Sequence, residues 1–243
     1  MDKKENYLVW LFKQLKGWPI QNYCLWFFAF GFQLNILMSN HLSNISVITF
    51  IGTILGTLCV ISINAAKSVN GWLGLLSAAC FIYVSFAAKN YLAIGEQIAY
   101  IVTLDLPVIL ATKTWNEETV NHLRKFGKKQ WIIALLGTLA VYIVSGFVIG
   151  HLTNDPRPWI DAVAFSVSLT AGIMCFMRYN NQYWWWMFSG IFQLILWGIT
   201  FAQGDASLAM AVNSLIYLVN DILAFTVSPW FNRGRKNAGL RQL

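Results

Sequence analysis

The sequence predicts an all-α polytopic membrane protein with eight transmembrane helices. Hydrophobic residues make up 57% of the 243 residues and charged residues only 11%, whereas a soluble domain carries about 25% charged residues. The apolar residues gather in long runs, and a helix needs about 20 of them to cross a bilayer. If these runs cross a membrane in alternating directions, the basic residues fall almost entirely in the loops and tails on one side of it, which is typical of membrane proteins.

The predicted spans follow one another along most of the chain. The segment before them, with Lys13 and Lys16 among apolar residues, predicts a short helix on the membrane surface. The first span is the weakest, because it is short and carries Gln33 and Asn35. The eight spans are Asn22–Met38, Ile45–Ala66, Gly71–Ala88, Tyr91–Thr112, Trp131–His151, Ile160–Met177, Tyr183–Ala202 and Ser207–Pro229.

The basic residues decide between seven and eight spans and set the orientation. With eight spans, fifteen of the 17 Lys and Arg residues fall on one side, and only Lys89 and Arg157 fall on the other. Without the first span the division is eleven against six. Because Lys and Arg favour cytoplasmic loops, the sequence predicts eight spans with both termini in the cytoplasm.

Sliding the sequence against itself by 116 residues predicts an internal repeat, because Gly56 falls on Gly172 and Gln97 on the similar amide Asn213. Three helices are an odd number, so a lone linker helix restores the orientation between the repeats. The repeats are then expected to be parallel, as in SWEET-type carriers. The predicted divisions are an N-terminal interfacial segment with the extra helix (1–44), the first three-helix repeat (45–112), a basic loop with the linker helix (113–159), the second repeat (160–229) and a basic cytoplasmic tail (230–243).

Several classes of function are excluded by what the sequence lacks. The basic excess follows from topology and no RNA- or DNA-binding motif accompanies it, so no nucleic acid partner is expected. The four cysteines lie in apolar runs without CxxC spacing, and the three histidines lie in separate connections. No metal site and no cofactor are therefore expected. No phosphate-binding loop is present, and the acids within the spans have no histidine partner there for acid–base catalysis.

Polar residues inside spans four and eight are the candidate substrate-binding groups. Such groups are costly in a membrane and usually face a cavity or another helix. Gln97 and Tyr100 share one face of span four, and Asn213, Tyr217 and Asn220 share one face of span eight. The alternative is that they form hydrogen bonds between helices, at about 1 kcal/mol each. Because no Lys or Arg lies deep in a span, phosphorylated substrates are disfavoured.

Three acidic residues are candidates for a gate. Glu96 and Asp105 belong to span four, and Asp221 belongs to span eight at the position that the 116-residue shift pairs with Asp105. Pro107 is expected to kink span four beside Asp105. A gate, a vestibule that attracts cations and coupling to protons are the three functions left open for these acids.

Span seven opens with an aromatic run that includes Trp184, Trp185 and Trp186. One interpretation is an interfacial aromatic belt, above all for Trp184. However, Trp186 is followed by Gln193 and Trp197 on a single helical face that continues to bilayer depth. This stripe favours a path for a flat polar ligand, stacked by indoles and hydrogen-bonded by amides.

Together these motifs resemble the PnuC family of bacterial vitamin B3 transporters over residues 45–230. The resemblance rests on Asn-Gly-Trp-Leu-Gly at 70–74, Gln-Ile-Ala-Tyr at 97–100, the Trp-rich start of span seven and residues 213–217. The family has a tryptophan pair three residues apart in span seven. Here Tyr183 and Trp186 fit that spacing, so the phase of the Trp run stays open. The first span is expected to be an addition to the core of the family.

The resemblance implies a transporter, not an enzyme, in the bacterial inner membrane. It implies import of nicotinamide riboside by facilitated diffusion, made one-way when a cytoplasmic kinase phosphorylates the product. We expect Trp185 or Trp186, with Gln97 and Asn213, to hold the substrate between the repeats, because indoles suit a cationic ring and amides suit its carboxamide and ribose hydroxyls. A SWEET-type sugar carrier is the alternative within transport, and a membrane sensor or enzyme the alternative outside it. Homo-oligomer formation is left open.

Overall fold

The computed structural model describes residues 6–112, 114–115, 124–179 and 181–229. These residues are helical apart from short connections and one isolated bridge between Arg124 and Tyr179. A π-helical turn, Ile101–Asp105, joins two of the helices. The α-helices are α1 (Tyr7–Lys13), α2 (Ile20–Ser39), α3 (Asn44–Asn64), α4 (Asn70–Ala87), α5 (Tyr91–Tyr100), α6 (Leu106–Leu110), α7 (Lys128–Leu152), α8 (Pro158–Phe176), α9 (Gln182–Ala202) and α10 (Leu208–Val227).

Seven helices of the described chain are long and apolar enough to cross a membrane. They are α3, α4, the continuous helix from α5 through α6, and α7 to α10, so the prediction of an all-α polytopic membrane protein is confirmed. Helix α2 has 20 residues but is not among the seven. The predicted total of eight spans therefore stays a prediction.

Helix α2 carries its polar residues on the face that contacts the protein. Asn22 and Gln33 are buried, and the side-chain amide of Gln33 donates a hydrogen bond to the carbonyl oxygen of Ala209 at 3.0 Å. Phe27 and Phe28, in contrast, are exposed. Because amide groups lower the mean apolarity of the helix without facing lipid, its weak hydrophobic signal reflects docking against α3 and α10.

The short helix α1 divides its apolar residues between the protein and its surroundings. Leu8 and Phe12 are exposed, whereas Leu11 packs beside Cys59, Val69 and Leu73. This division suits a helix that lies on the membrane surface with one side against the bundle.

The helices that precede and follow α7 contact each other crosswise. Helix α3 packs against α10, and α8 packs against α5. A glycine allows close approach at each crossing. Gly56 of α3 lies against the phenol oxygen of Tyr217, and an ideal Cβ on Gly172 of α8 would stand 3.1 Å from Tyr100 Cε1. Helix α7 packs mainly against α8 and exposes most of its large apolar side chains.

Four of the long helices end in the same way. After each of them one residue adopts a positive φ, and the next backbone N–H bonds to a carbonyl five residues earlier, as in a Schellman motif. The four positive-φ residues are Ala66, Lys89, Arg178 and Gly204, and the four hydrogen bonds run from Lys67 to Ser62, Asn90 to Ser85, Tyr179 to Met174 and Asp205 to Thr200.

The fourth predicted span departs from regular α-helix before its proline. Residues Ile101–Asp105 form the π-helical turn, and Pro107 follows in the first turn of α6. A proline lacks the N–H that would bond to the preceding turn, and π-helical turns are frequent at functional sites. Several predicted features, namely residues 113 and 116–123 of the basic loop, Asn180 and the tail 230–243, lie outside the described residues.

Candidate functional site

A cavity of about 150 Å³ lies between α3, α4, α5 with its π-helical turn, α9 and α10. Its wall contains ten of the twelve residues that the sequence singled out as substrate-binding or gate candidates. Trp184 and Trp185 are the two that do not line it. The ten are Glu96, Gln97, Tyr100, Asp105, Trp186, Gln193, Asn213, Tyr217, Asn220 and Asp221.

The three consecutive tryptophans of α9 point in three directions. Trp186 lines the cavity, where its ring lies 5.6 Å from the ring of Tyr100. Trp185 is buried and stacks on Trp131 of α7 at 5.7 Å. Trp184 is 47% exposed. Since successive helical residues are rotated by about 100°, only one of the three can face the ligand space, and it is Trp186.

Gln193 has both ends of its amide occupied by protein groups. Its Nε2 donates to Glu96 Oε2 at 2.6 Å and to Ser168 Oγ at 3.3 Å. Its Oε1 accepts a hydrogen bond from Trp197 Nε1 at 3.2 Å. Because both ends of its amide already have partners, Gln193 is placed to hold Glu96 and Trp197 in position. Its predicted role as an amide that binds the substrate directly stays a prediction.

The amides of Gln97 and Asn213 differ from Gln193 in this respect. Within the described chain, the side-chain oxygen of Asn213 is buried without a hydrogen-bond partner. Gln97 is partly buried at the cavity wall. A buried acceptor left unpaired costs about 1–3 kcal/mol, so Asn213 is suited to receive a hydrogen bond from a ligand.

Asn220 is tied to the neighbouring helix. Its side-chain oxygen accepts a hydrogen bond from Asn64 Nδ2 at 3.1 Å, while the Asn64 carbonyl accepts one from the Ser228 hydroxyl at 2.6 Å. For Asn220, these contacts match the alternative to substrate binding that the sequence left open, namely hydrogen bonds between helices.

The carboxyl groups of the cavity occupy two levels. Glu96 lies on α5 beside Gln193, whereas Asp105 lies at the end of the π-helical turn and Asp221 in the second half of α10. The Asp105 carboxylate fits against Gly74, where an added Cβ would collide with it. None of the described lining residues is a Lys, Arg or His. The cavity therefore offers carboxyl groups without a fixed positive partner, and no cluster of metal-ligating side chains occurs among the described residues.

Two groups of functional interest were missed in the sequence. Ser77, Phe81 and Ser85 of α4 line the cavity, and their spacing of four residues could have revealed them as one helical face. Arg157 had been counted only as a topological charge. It is 4% exposed and lies at the end of the molecule where α4 and α9 finish.

At this end of the molecule Arg157 joins two turns of the chain. Its guanidinium donates to the Ala88 carbonyl and to Asn90 Oδ1, both in the turn after α4. It also forms an ion pair with Asp205 at 2.7 Å and bonds to Gln203, both in the turn after α9. An apolar layer that includes Phe81, Trp197 and Met210 separates this cluster from the cavity. The same apolar layer also contains Val84, Ala88, Ala93 and Ala211.

Comparison with known proteins identifies the family. The family described as nicotinamide mononucleotide transporter matches residues 46–232. The chain belongs to this family. A curated relative, the nicotinamide riboside transporter PnuC of Neisseria mucosa, is 24% identical over 246 residues, which cover 96% of this chain and 89% of the relative. The resemblance inferred from the sequence is thus confirmed, and this member of the family is a membrane transporter rather than an enzyme.

A solved structure shares the fold of this family member. The crystal structure of the vitamin B3 transporter PnuC superposes with a TM-score of 0.77 at 20% sequence identity. The match covers 95% of this chain and 99% of that chain. Because nearly the whole of each chain is matched, the helical architecture is common to both proteins.

Proposed function

We propose that this family member carries nicotinamide riboside across the bacterial inner membrane through the cavity between α3, α4, α5 with its π-helical turn, α9 and α10. The relative from Neisseria mucosa is named for this substrate. The observation that carries the proposal is the composition of the cavity wall, which combines aromatic rings, amides and three carboxyl groups without any described basic side chain.

Nicotinamide riboside matches this wall group by group. It consists of a flat cationic ring with a carboxamide, joined to a ribose with free hydroxyls. The rings of Trp186 and Tyr100 suit the cationic ring, at about 0.5–2 kcal/mol per contact. The amides of Gln97 and Asn213 suit the carboxamide and the hydroxyls, and the unpaired oxygen of Asn213 gains a donor.

The mononucleotide for which the family is named fits less well. Its phosphate carries up to two negative charges, and buried phosphate is normally met by Arg, Lys or a helix N-terminus. The described wall of this cavity supplies carboxyl groups instead. We therefore infer that the riboside is carried and that the mononucleotide is rejected.

The proposal includes an arrangement of two parallel three-helix repeats behind an added first span, with both termini in the cytoplasm. The crosswise contacts of α3 with α10 and of α8 with α5 support it. So do the glycines Gly56 and Gly172, which are 116 residues apart and each meet a tyrosine of the other repeat.

Transport is proposed to be facilitated diffusion, followed by phosphorylation in the cytoplasm that traps the product. Counterflow of labelled riboside into liposomes would then proceed at the same rate with and without an imposed pH gradient. Accumulation above the equilibrium level that depends on the gradient would contradict facilitated diffusion and indicate proton coupling.

Calorimetric titration of the purified protein tests the substrate. We expect heat on addition of nicotinamide riboside and none with the mononucleotide or with sugars. Gln97→Ala and Asn213→Ala should each weaken binding of the riboside roughly tenfold, equivalent to about 1.4 kcal/mol.

Gln21→Ala is the matched control, because Gln21 is an exposed amide on α2 outside the cavity. Its affinity for the riboside should equal that of the wild type. Absence of heat with the riboside, or unchanged affinity in both cavity variants, would overturn the assignment. Heat with a sugar would support the SWEET-type alternative.

A further inference from the structure

Glu96 is a buried carboxyl group with polar neighbours and no ion-pair partner among the described residues. Its side chain is at the cavity wall, and the residue is 5% exposed. Gln193 donates to its Oε2 at 2.6 Å, and the Trp197 indole fixes Gln193 in turn. This chain of bonds orients the carboxyl group, but no described basic side chain lines the cavity to balance its ionised form, and an unpaired charge at bilayer depth is costly.

Glu96 also breaks the similarity of the two halves of the cavity. The 116-residue shift pairs Gln97 with Asn213 and Asp105 with Asp221, but it pairs Glu96 with Val212. Val212 packs against the cluster that includes Leu25, Ala29 and Ile216 and is not among the described residues that line the cavity. One half of the cavity therefore has a carboxyl group at this position and the other half has none. A ligand with a charged end and a neutral end has a preferred orientation in such a site.

We propose that Glu96 is the counter-ion that selects a cationic ring and fixes which way the ligand lies. This inference rests on the proposed function and assigns a residue to its charge selectivity. The ligand brings the positively charged partner that the described cavity wall does not supply to Glu96, while Gln193 keeps the carboxyl group in position. The neutral ribose is then directed away from Glu96.

The other two carboxyl groups of the cavity are placed less well for this role. Asp105 follows Glu96 by nine residues, which corresponds to about 13 Å along a helix. Asp105 is packed against Gly74, and Asp221 holds the equivalent position in the sequence of the other half. Glu96 instead lies one helical turn from Tyr100, whose ring faces Trp186 at 5.6 Å.

The test compares two ligands that differ mainly in charge. Nicotinamide riboside is a cation, and its reduced dihydro form is neutral and of similar size. The wild type should bind the cation at least about tenfold more tightly than the reduced form. Glu96→Gln keeps the size and one acceptor oxygen but removes the charge, and it should lower this ratio to about threefold or less.

The indoles also favour a cation. Their contribution is the same in the wild type and in the Glu96 variants, so the change in the affinity ratio between these proteins measures the contribution of Glu96. Glu96→Met is a second neutral replacement of similar length, in case the first variant fails to fold. Asp221→Asn removes a carboxylate at the other level and should leave the ratio within about twofold of the wild type.

Each outcome has one meaning. If the wild type binds no riboside at all, the proposed function fails. If it binds the cation and the neutral form equally, or if the neutral Glu96 variants keep the wild-type ratio, only the role of Glu96 is overturned. A ratio that falls equally in Asp221→Asn would assign the selectivity to the general field of the cavity instead of to Glu96.

Discussion

At the scale of single residues, the aromatic run of α9 shows how adjacent identical side chains take different roles. Trp186 faces the cavity and the ring of Tyr100. Trp185 faces away and stacks on Trp131, where it joins α9 to α7. Trp184 lies near Phe225, with ring centres 4.9 Å apart, and remains half exposed.

The three tryptophans should therefore respond differently to replacement by alanine. Trp186→Ala should weaken binding of nicotinamide riboside roughly tenfold with a small effect on stability. Trp185→Ala should lower the free energy of unfolding on the order of 3 kcal/mol, because a packed indole leaves a cavity. Calorimetry and thermal unfolding in detergent measure the two effects. Trp184→Ala is the control, and binding lost most strongly in that variant would contradict the geometry.

The sequence predicted the type of these residues better than their direction. Helical periodicity placed Gln97 and Asn213 on faces that the structure brings to one cavity. It did not resolve the phase of the tryptophan run, because an aromatic residue occupies every position from 183 to 186. Nor did it show that Gln193 is engaged by Glu96 and Trp197, since side-chain partners on other helices follow from packing alone.

At the scale of helices, small residues determine how closely the elements approach. Gly56 lets α3 meet α10 at Tyr217, and Gly172 lets α8 meet α5 at Tyr100. Both tyrosines line the cavity. The contacts that join the helices therefore also set the positions of two side chains of the candidate site.

Gly56→Ala should accordingly affect stability and binding together. The new Cβ would collide with the Tyr217 hydroxyl and stand 3.0 Å from Phe81 Cε2. Overpacking of this kind costs about 1–3 kcal/mol, and the displaced phenol should also weaken binding of the riboside. The measurements are thermal unfolding and calorimetry on the same preparation.

Gly137→Ala provides the comparison, because nothing lies within 4 Å of its ideal Cβ in α7. That variant should be neutral or slightly more stable, since alanine is the better helix former. Equal losses in both variants would indicate a general sensitivity of the helices and not the contact with Tyr217.

Element boundaries were predictable where apolar runs end in turn residues, and less so elsewhere. Helices α3 and α9 begin and end within a few residues of their predicted limits. The sequence did not predict the π-helical turn before Pro107. A proline indicates that the helix is distorted nearby, but it does not indicate which residues adopt the wider π-helical turn. Helix α2 has a weak apolar signal because Asn22 and Gln33 face the protein.

At the scale of the whole molecule, Arg157 links the turn after α4 to the turn after α9. Asn90 strengthens the same link, because its Nδ2 donates to Thr200 Oγ1 at 3.2 Å. The positive-inside count places Arg157, with Lys89, apart from the other fifteen basic residues. It could not show that the side chain is buried, since topology rules treat charges in loops as solvated.

Arg157→Gln should destabilise the link between the turn after α4 and the turn after α9. Removal of the guanidinium leaves the Ala88 carbonyl and Asn90 Oδ1 without their donor and Asp205 without its ion pair. We expect a loss on the order of 3 kcal/mol in the free energy of unfolding. Thermal unfolding in detergent measures it.

Lys89→Ala removes the other basic side chain that the sequence places on this side, and Lys89 is exposed. It should leave the unfolding temperature nearly unchanged. If Arg157→Gln is as stable as Lys89→Ala, the buried guanidinium does not hold the two turns together in solution.

The shared guanidinium of Arg157 would have a kinetic consequence if transport proceeds by alternating access, with the cavity opening first to one side of the membrane and then to the other. Since one side chain serves both turns, neither turn can move away without depriving the other of its partner. If the two turns separated only partly, the bonds of Arg157 to one of them would already be lost, while little water could enter between the turns. Access from that side should therefore switch in a single cooperative step, with few half-open molecules present at any moment.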